Sequence, residues 1–486
     1  MKKLILHITP HVSGGLGRVL FTTLKNSLKK KSLFRHEFLI IDRKPLATES
    51  IKKFLKYRKN IHINKNKKFI KNKILKADIV QVEFWNHPEI YELLIGFKFP
   101  ASRLILCCHI SGFSRPQLIT QNVINFSDIF LCVSKVTKDH TLFNGRKNIQ
   151  NSKKLRFIKF PIDLKRFANL KKKKHSGFNV SYIGTLDYHK LYKGFLKMSN
   201  SINIPKVKFL ICGSGDDKDR IENESKKYFN GKFKFLGFIE NIKKILEITD
   251  VLGYPLNKKH YGTGEQAILE SMYAKIPVVA FSNNAEKVII QNKKNGLLVK
   301  DERDYIKTIE RLYADKDQIK KIGSNAHAHI LKNFSSFACF NDLEKIYNKL
   351  LLKEKRLRVF KNLIPKNDKN YGSKLFIQSL GSKSNEFLKS YRNKGRSINI
   401  KVNHNIKNVE TELKSINKGS LFQYLYYYPN DPYLNFWAGL ISLKDKDTLK
   451  GRYKPLPKTA YQCFGRAVKF DKKNKEFKYY KKISNI

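Results

Sequence analysis

The sequence predicts an α/β protein: two successive domains, each a parallel sheet covered by helices, followed by an α-helical extension. Three observations carry this. Apolar strand-like runs alternate with helical stretches in two series, the pattern of open parallel sheets. A lysine run, Lys171 to Lys174, separates the series. Beyond about residue 361 the strand pattern stops: Lys361 to Lys418 has scattered hydrophobics with little periodicity, and aromatic-rich helical stretches follow from Gly419 to Phe470. At 486 residues the chain is long enough for two or three domains with real cores. The expected division is 1–167, 175–334, a crossing helix and linker at 335–361, and the extension at 362–486.

Composition narrows the class. Hydrophobic content of 41% and aromatic content of 12% mean a globular chain rather than a disordered one. Lys+Arg number 98 against 40 Asp+Glu, a formal charge of +58. Such an excess attracts polyanions, an anionic membrane surface among them. Lysine bias spread over solvated faces accounts for much of it, because the runs are unpatterned. No nucleic-acid-binding signature accompanies the charge, so nucleic acid is a poor partner. The six cysteines lack metal spacing, and most lie in apolar runs, where Cys acts as a small hydrophobe. That fits a reducing cytoplasm. No apolar run reaches ~18 residues, so no membrane span is expected.

In the first domain, Lys3 to Ile8 reads as a strand, Pro10 to Arg18 (PHVSGGLGR) as a loop and Val19 to Lys30 as a helix. Strand, glycine loop, helix is an anion-binding arrangement. Further strands are expected at Glu37–Ile41, Asp78–Val82, Arg103–Cys107 and Ile129–Val133. His109 falls just beyond a strand, where open sheets bind ligands. Trp85, Asn86 and His87 end another strand, where they either line a ligand pocket or form a packed tryptophan corner.

The second domain opens with a strand at Asn179–Ile183 and then GTLDYHKLYKGF, Gly184 to Phe195. Lys206 to Cys212 is the next strand, capped by Gly213-Ser214-Gly215-Asp216. The stretch around which this domain is organised is His260 to Phe281, HYGTGEQAILESMYAKIPVVAF. Gly262 and Gly264 bracket Thr263, Glu265 to Ala274 reads as a helix, and Val278 to Phe281 as a buried strand. A helix N-terminus in a glycine loop offers free N–H groups to a phosphate. Glu270 lies two turns below Thr263 on the same face, roughly 10 Å away at ~1.5 Å per residue. The plain alternative is a surface glutamate on an amphipathic helix.

These residues resemble retaining glycosyltransferases of the GT-B fold, family 4. The resemblance rests on Gly237-Phe238, Asp250, Glu270, Ala274, Pro277 to Val279 and Asn295 to Val299. It implies two Rossmann-like domains facing a cleft, the second holding a nucleotide-sugar donor. It implies that Glu270 holds the ribose and that the Thr263 and Gly264 N–H groups meet the diphosphate. Gly14 and Gly15 would approach the phosphates from the first domain. Gly213 and Phe238 would flank the base, and His109 would meet the donor sugar. The family's first motif glutamate corresponds to Gly262 here, and Glu265, one turn further in, is the candidate substitute. Its arginine–lysine clamp corresponds to Thr185 and Lys193, leaving Lys190 to supply the second cation. Phe160-Pro161-Ile162-Asp163 resembles the family's interdomain crossing, and the last helix would cross back onto the first domain.

The sequence reading is therefore a hexosyltransferase-type glycosyltransferase in cell-envelope polysaccharide synthesis. Its donor would be a nucleotide-diphosphate sugar and its acceptor a glycan or lipid-linked glycan. Lysines and a helix tip stand where a metal would, so no metal or other cofactor is expected. The location expected is cytoplasmic, peripheral on the inner face of the membrane. A nucleotide-sugar epimerase or hydrolase of the same fold, or a non-catalytic basic scaffold, uses the same residues. Within the extension, Ser420 to Asp447 and Ala460 to Phe470 resemble a single tetratricopeptide-like hairpin.

Overall fold

The structure, a computed structural model, describes residues 2–28, 32–42, 49–114, 116–145, 148–229, 231–258, 260–360, 363–391, 419–444 and 456–484. Two parallel sheets form its frame. The first has β1 (Lys3–Thr9), β2 (Phe34–Ile40), β3 (Ile61–Ile63), β4 (Ile79–Phe84), β5 (Leu104–Cys108), β6 (Ile129–Cys132) and β7 (Leu155–Phe157), in the order β3-β2-β1-β4-β5-β6-β7. The second has β8 (Phe178–Ile183), β9 (Val207–Cys212), β10 (Phe233–Gly237), β11 (Val251–Tyr254), β12 (Val278–Phe281) and β13 (Leu297–Val299), in the order β10-β9-β8-β11-β12-β13. The strand order reverses between β1 and β4 in one sheet and between β8 and β11 in the other. Those are the switch points where Rossmann-like sheets open a crevice.

One device recurs at the amino ends of the strands. Asp78, Asp128 and Asp250 each precede an apolar strand. Each accepts the backbone N–H of a neighbouring strand: Leu4 at 2.8 Å, Leu104 at 2.7 Å and Asn179 at 2.8 Å. A carboxylate bonded to a strand's opening N–H fixes where that strand begins, so these acids pin register. Asp250 thus has a structural task at the sheet edge opposite the crevice.

The helix after β1 begins at Gly14 and runs to Ser27, so it starts five residues before the expected Val19. The glycine loop is largely its first turn. Gly14 has φ +64°. Gly17 lies so close to the preceding chain that a Cβ would stand 1.9 Å from the Val12 carbonyl oxygen. Gly17→Ala must therefore push backbone against backbone. We expect a loss of about 1–3 kcal/mol, read as a lowered midpoint in thermal or denaturant unfolding.

The helix Ser336–Leu351 packs on the first sheet, with Phe340, Leu343, Tyr347 and Leu350 against Ile5, Phe34, Ile79 and Ile105. The extension follows: Tyr371–Ser379, Ser384–Tyr391, Leu421–Tyr427, Pro432–Lys444, Ala460–Phe470 and Lys475–Ile483 are helices. Ala460–Phe470 packs on Pro432–Lys444 and pairs with Lys475–Ile483, a helix absent from the sequence reading. The stretch 361–418, without usable period in the sequence, thus holds the helices Tyr371–Ser379 and Ser384–Tyr391, and its residues 392–418 lie outside the described residues. Pro432–Lys444 is apolar all round, with Leu434, Phe436 and Ala438 at 0% exposure, as a helix sunk in a core must be. That core is shared: Phe376, Tyr424, Trp437 and Phe464 of the extension join Phe84, Tyr91 and Leu94 of the first domain in one cluster.

Candidate functional site

Glycines line the carboxyl ends of β8, β9 and β10. The Gly213 N–H donates to the Gly237 carbonyl at 2.7 Å, and a Cβ at Gly213 would lie 1.8 Å from the Gly184 oxygen. Backbone packed this tightly leaves room beside it for a flat group. Phe238, 64% exposed, stands at the end of the row. Thr185, next to Gly184, accepts the Tyr182 hydroxyl through its carbonyl at 2.9 Å.

Two helix N-termini meet across the crevice. A Cβ at Gly15, in the first turn of Gly14–Ser27, would lie 3.5 Å from Gln266 Cγ, at the start of Gln266–Tyr273. The Thr263 hydroxyl donates to the His109 carbonyl at 3.1 Å, and the Ser111 N–H to the Tyr261 carbonyl at 3.1 Å. Gly264 is exposed with nothing within 4 Å of its would-be Cβ. The free N–H groups and positive poles of both helices are thus gathered in one place, an electrostatic setting for a diphosphate.

Glu270 lies about one turn into Gln266–Tyr273 and is 1% exposed. Arg18 Nη1 donates to both of its oxygens, at 3.0 and 3.1 Å, and Arg166 Nη1 donates to Oε1 at 3.0 Å. Arg166 Nη2 also donates to the Glu240 carbonyl at 2.9 Å. Seven residues beyond Arg18 on the same helix, Lys25 pairs with Asp163 at 3.0 Å. That spacing puts both cations on one helix face, turned towards the second half.

Glu265 stands just before the helix, as its N-cap residue, rather than in its first turn. Its Oε2 accepts from Lys190 Nζ at 2.8 Å and from the Tyr254 hydroxyl at 2.6 Å. Burial pushes this carboxyl up, but Lys190 and His260 outweigh that and hold it below the usual range. A Cβ built on Gly262 would fall 1.8 Å from Glu265 Oε1. Glu265 therefore fills the space that a side chain at position 262 would enter. Lys190 and Glu265, separate candidates in the sequence, are partners. Lys193 is exposed and pairs with no acid among the described residues.

His109 is backed by a buried chain of polar groups. Its Nε2 lies 2.6 Å from Glu83 Oε2, and its ring stacks on Phe160 at 5.5 Å. Glu83 Oε1 meets His7 Nδ1 at 2.7 Å and Gln81 Nε2 at 2.9 Å. His7 Nε2 meets His36 Nδ1 at 2.7 Å, and the Tyr347 hydroxyl donates to Gln81 Oε1 at 2.8 Å. Burial pushes the Glu83 carboxyl up, yet the two imidazoles hold it down to about 2. Glu83, Cys107 and His109 are the group among the described residues placed to hold a metal ion, with ligand atoms within 4.8 Å. Both Glu83 oxygens are already bonded to imidazoles, and burial pushes the Cys107 thiol well up, away from the thiolate a metal takes. The set reads as a hydrogen-bonded relay.

Asn86 does not line a pocket as its place in the sequence suggests. It is fully buried, donating to the Pro116 carbonyl and Ser379 Oγ at 2.7 and 3.1 Å and accepting the Tyr424 hydroxyl at 3.0 Å. Arg18, Arg166, Glu83, His7 and Tyr254 were not singled out by sequence. Arg18 closes the GGLGR loop and Arg166 follows the Pro161-Ile162-Asp163 crossing, so both lie beside motifs legible in the sequence. The other three sit mid-strand or at a strand end and carry no local signal.

Two Rossmann-like halves, with helix tips and acids meeting at their switch points, define a GT-B glycosyltransferase. Residues 164–329 match the model of the family described as Glycosyl transferases group 1; this segment is a domain of that family and the chain is a glycosyltransferase enzyme. An uncharacterized glycosyltransferase of Methanocaldococcus jannaschii is 22% identical over 295 residues, covering 53% of this chain and 72% of that protein. The capsular polysaccharide biosynthesis glycosyltransferase CapM of Staphylococcus aureus is 24% identical over 221 residues, covering 41% of this chain and 54% of CapM. In fold the chain is similar to HepE of Anabaena in complex with UDP and glucose, with TM-score 0.56 and 15% identity over 71% of this chain and 100% of that one. All the described cysteines are free and buried, and no helix among the described residues is long and apolar enough to cross a membrane.

Proposed function

We propose that the enzyme transfers a sugar, with retention, from a nucleotide-diphosphate donor to a hydroxyl of a glycan or lipid-linked glycan in cell-envelope polysaccharide synthesis. The observation that carries this is the meeting of two helix N-termini at Gly15 and Gln266, with Glu270 about one turn below. The similarity to CapM supports the polysaccharide context. In this reading the ribose hydroxyls donate to Glu270 and the base lies along Gly213 and Phe238. The diphosphate meets the N–H groups at Thr263 and Gly264, with Gly14 and Gly15 opposite. His109 orients the sugar, held by Glu83. Glu265 takes the part of the missing glutamate, fixed by Lys190 and Tyr254. Charge developing on the leaving diphosphate is met by the helix tips and Lys193, the main device available to such a site without a metal. A thermal-shift series with UDP-, GDP-, ADP- and CMP-sugars tests it. One nucleotide class should stabilise the protein; indifference to all would overturn the reading.

The two lysines should behave differently. Lys193→Ala removes an exposed cation, so the melting temperature should hold and turnover should fall more than donor affinity. Lys190→Ala strips a buried carboxylate of its cation, so the fold itself should lose roughly 1–3 kcal/mol. EDTA should leave parental turnover unchanged. Equal melting temperatures for the two variants would show that the Lys190–Glu265 pair does not hold the loop.

The charge of +58 suits a membrane-borne acceptor. The protein should co-sediment with anionic vesicles and be released as salt rises from roughly 0.05 to 0.5 M, since screening shortens the Debye length. Equal binding to neutral vesicles would remove this role.

A further inference from the structure

The extension reaches the rim of the crevice at the first sheet through Tyr427. Tyr427 ends the helix Leu421–Tyr427, and its hydroxyl donates to Asp42 Oδ1 at 2.7 Å. His87 Nε2 lies 3.4 Å from the same hydroxyl, and the two rings meet edge-on at 5.2 Å. His87 Nδ1 accepts the Glu89 N–H, so the hydrogen-bond pattern assigns the proton to Nε2, facing the Tyr427 oxygen. Trp85 lies beside these groups, its ring 5.8 Å from His87, 5.1 Å from His11 and 6.4 Å from His109.

The origin of each group matters. His11 follows β1, Asp42 follows β2, and Trp85 and His87 follow β4, so three loops converge at the first switch point. The fourth contributor comes from outside both Rossmann-like halves. Trp85 and His87 form a buried floor, while His11, Asp42 and Tyr427 are half-buried at its rim. Indole and imidazole rings offer faces to the C–H side of a pyranose, and a carboxylate bonded to a phenol offers partners for its hydroxyls. The neighbouring His109 joins this patch to the place of the donor sugar.

We infer that Tyr427 is a specificity-determining residue of the acceptor subsite, where it and Asp42 take the hydroxyls of a pyranose, and that the extension forms one wall of that subsite. The inference rests on the glycosyl-transfer reading of the cleft and adds to it a residue beyond the group 1 domain. Tyr424 and Tyr428, close by in the sequence, supply the contrast. Tyr424 is spent on buried Asn86, and the Tyr428 hydroxyl donates at 2.8 Å to Glu92 on the helix Pro88–Ile95, away from the strand ends.

The test compares Tyr427→Phe with Tyr428→Phe in the full chain. Binding of methyl glycosides of glucose, galactose, mannose and N-acetylglucosamine is followed by ligand-observed NMR with UDP present, alongside melting temperatures. At least one glycoside should bind the parent saturably. Tyr427→Phe should weaken it by about tenfold, the upper end for a hydrogen bond between uncharged groups, and Tyr428→Phe should leave it unchanged. Absence of glycoside binding by the parent, equal affinity in Tyr427→Phe, or an equal loss in Tyr428→Phe overturns the inference. Failure of the protein to bind any nucleotide sugar would instead strike the donor-site reading and leave the glycoside result standing.

Discussion

Glu270→Gln should weaken donor binding by roughly 10- to 150-fold, because a hydrogen bond to a charged group contributes ~1.5–3 kcal/mol. Calorimetry with the nucleotide sugar selected by the thermal-shift series reads this directly. Sequence alone predicts an unchanged melting temperature, since Gln is a good helix former. The structure changes that expectation. Glu270 pairs with both Arg18 and Arg166, one from each side of the crevice. Breaking a buried pair costs about 3–5 kcal/mol, but the two arginine side chains are 27% and 26% exposed, so screening reduces the loss to about 1–3 kcal/mol. A variant that binds donor as tightly as the parent would make this helix ordinary core structure and sink the assignment of the site.

A chain ending at residue 360 should fail to give a folded first domain. From sequence, removing the extension appears harmless to donor binding, because every donor candidate precedes it. In the structure Leu375, Phe376, Leu421, Phe422, Tyr424 and Leu425 are buried in the core that also holds Phe84, Tyr91 and Leu94. Each large apolar side chain contributes about 1.5–3 kcal/mol when buried, so this handful amounts to roughly 9–18 kcal/mol, comparable to the whole ~5–15 kcal/mol stability of an ordinary domain. Insoluble protein, or rapid proteolysis of the first half with the second half surviving, is the expected outcome. A soluble truncated chain melting within a few degrees of the parent would show the extension to be an accessory.

The frame of the molecule was legible in the sequence because its signals are local. Fully buried strands such as Leu104–Cys108 read as apolar runs, and helix Ala460–Phe470 carries its period in its own residues. The short strand Ile61–Ile63 was missed, since three residues carry no usable period. The helix Gly14–Ser27 was started late because its glycines are poor helix formers, and tertiary contact at Gly17 overrides that preference. The site was legible where it lies in one short stretch, as for the loop at Thr263 and the helix of Glu270, although that helix begins only at Gln266, so the two residues do not share a helix face as the spacing suggests. It was illegible where partners come from distant strands. Arg18 and Glu270 are 252 residues apart in sequence, and Glu83 and His7 are 76 apart. No local window joins such pairs. The sharing of one core by the extension and the first domain is of the same kind.

The side chain of Glu265, folded back over Gly262, sets a rule of substitution for this loop. An acid can be delivered to that spot from position 262 or from position 265, but the space admits one carboxylate at a time. Introducing Glu at 262 alone would force two like charges and two volumes into one pocket beside Tyr254. Exchanging both positions together, Gly262→Glu with Glu265→Gly, moves the backbone origin of the charge while keeping its destination. Chains built on this loop should therefore divide into two mutually exclusive types, and a hybrid carrying both acids should be unfit whichever background it starts from.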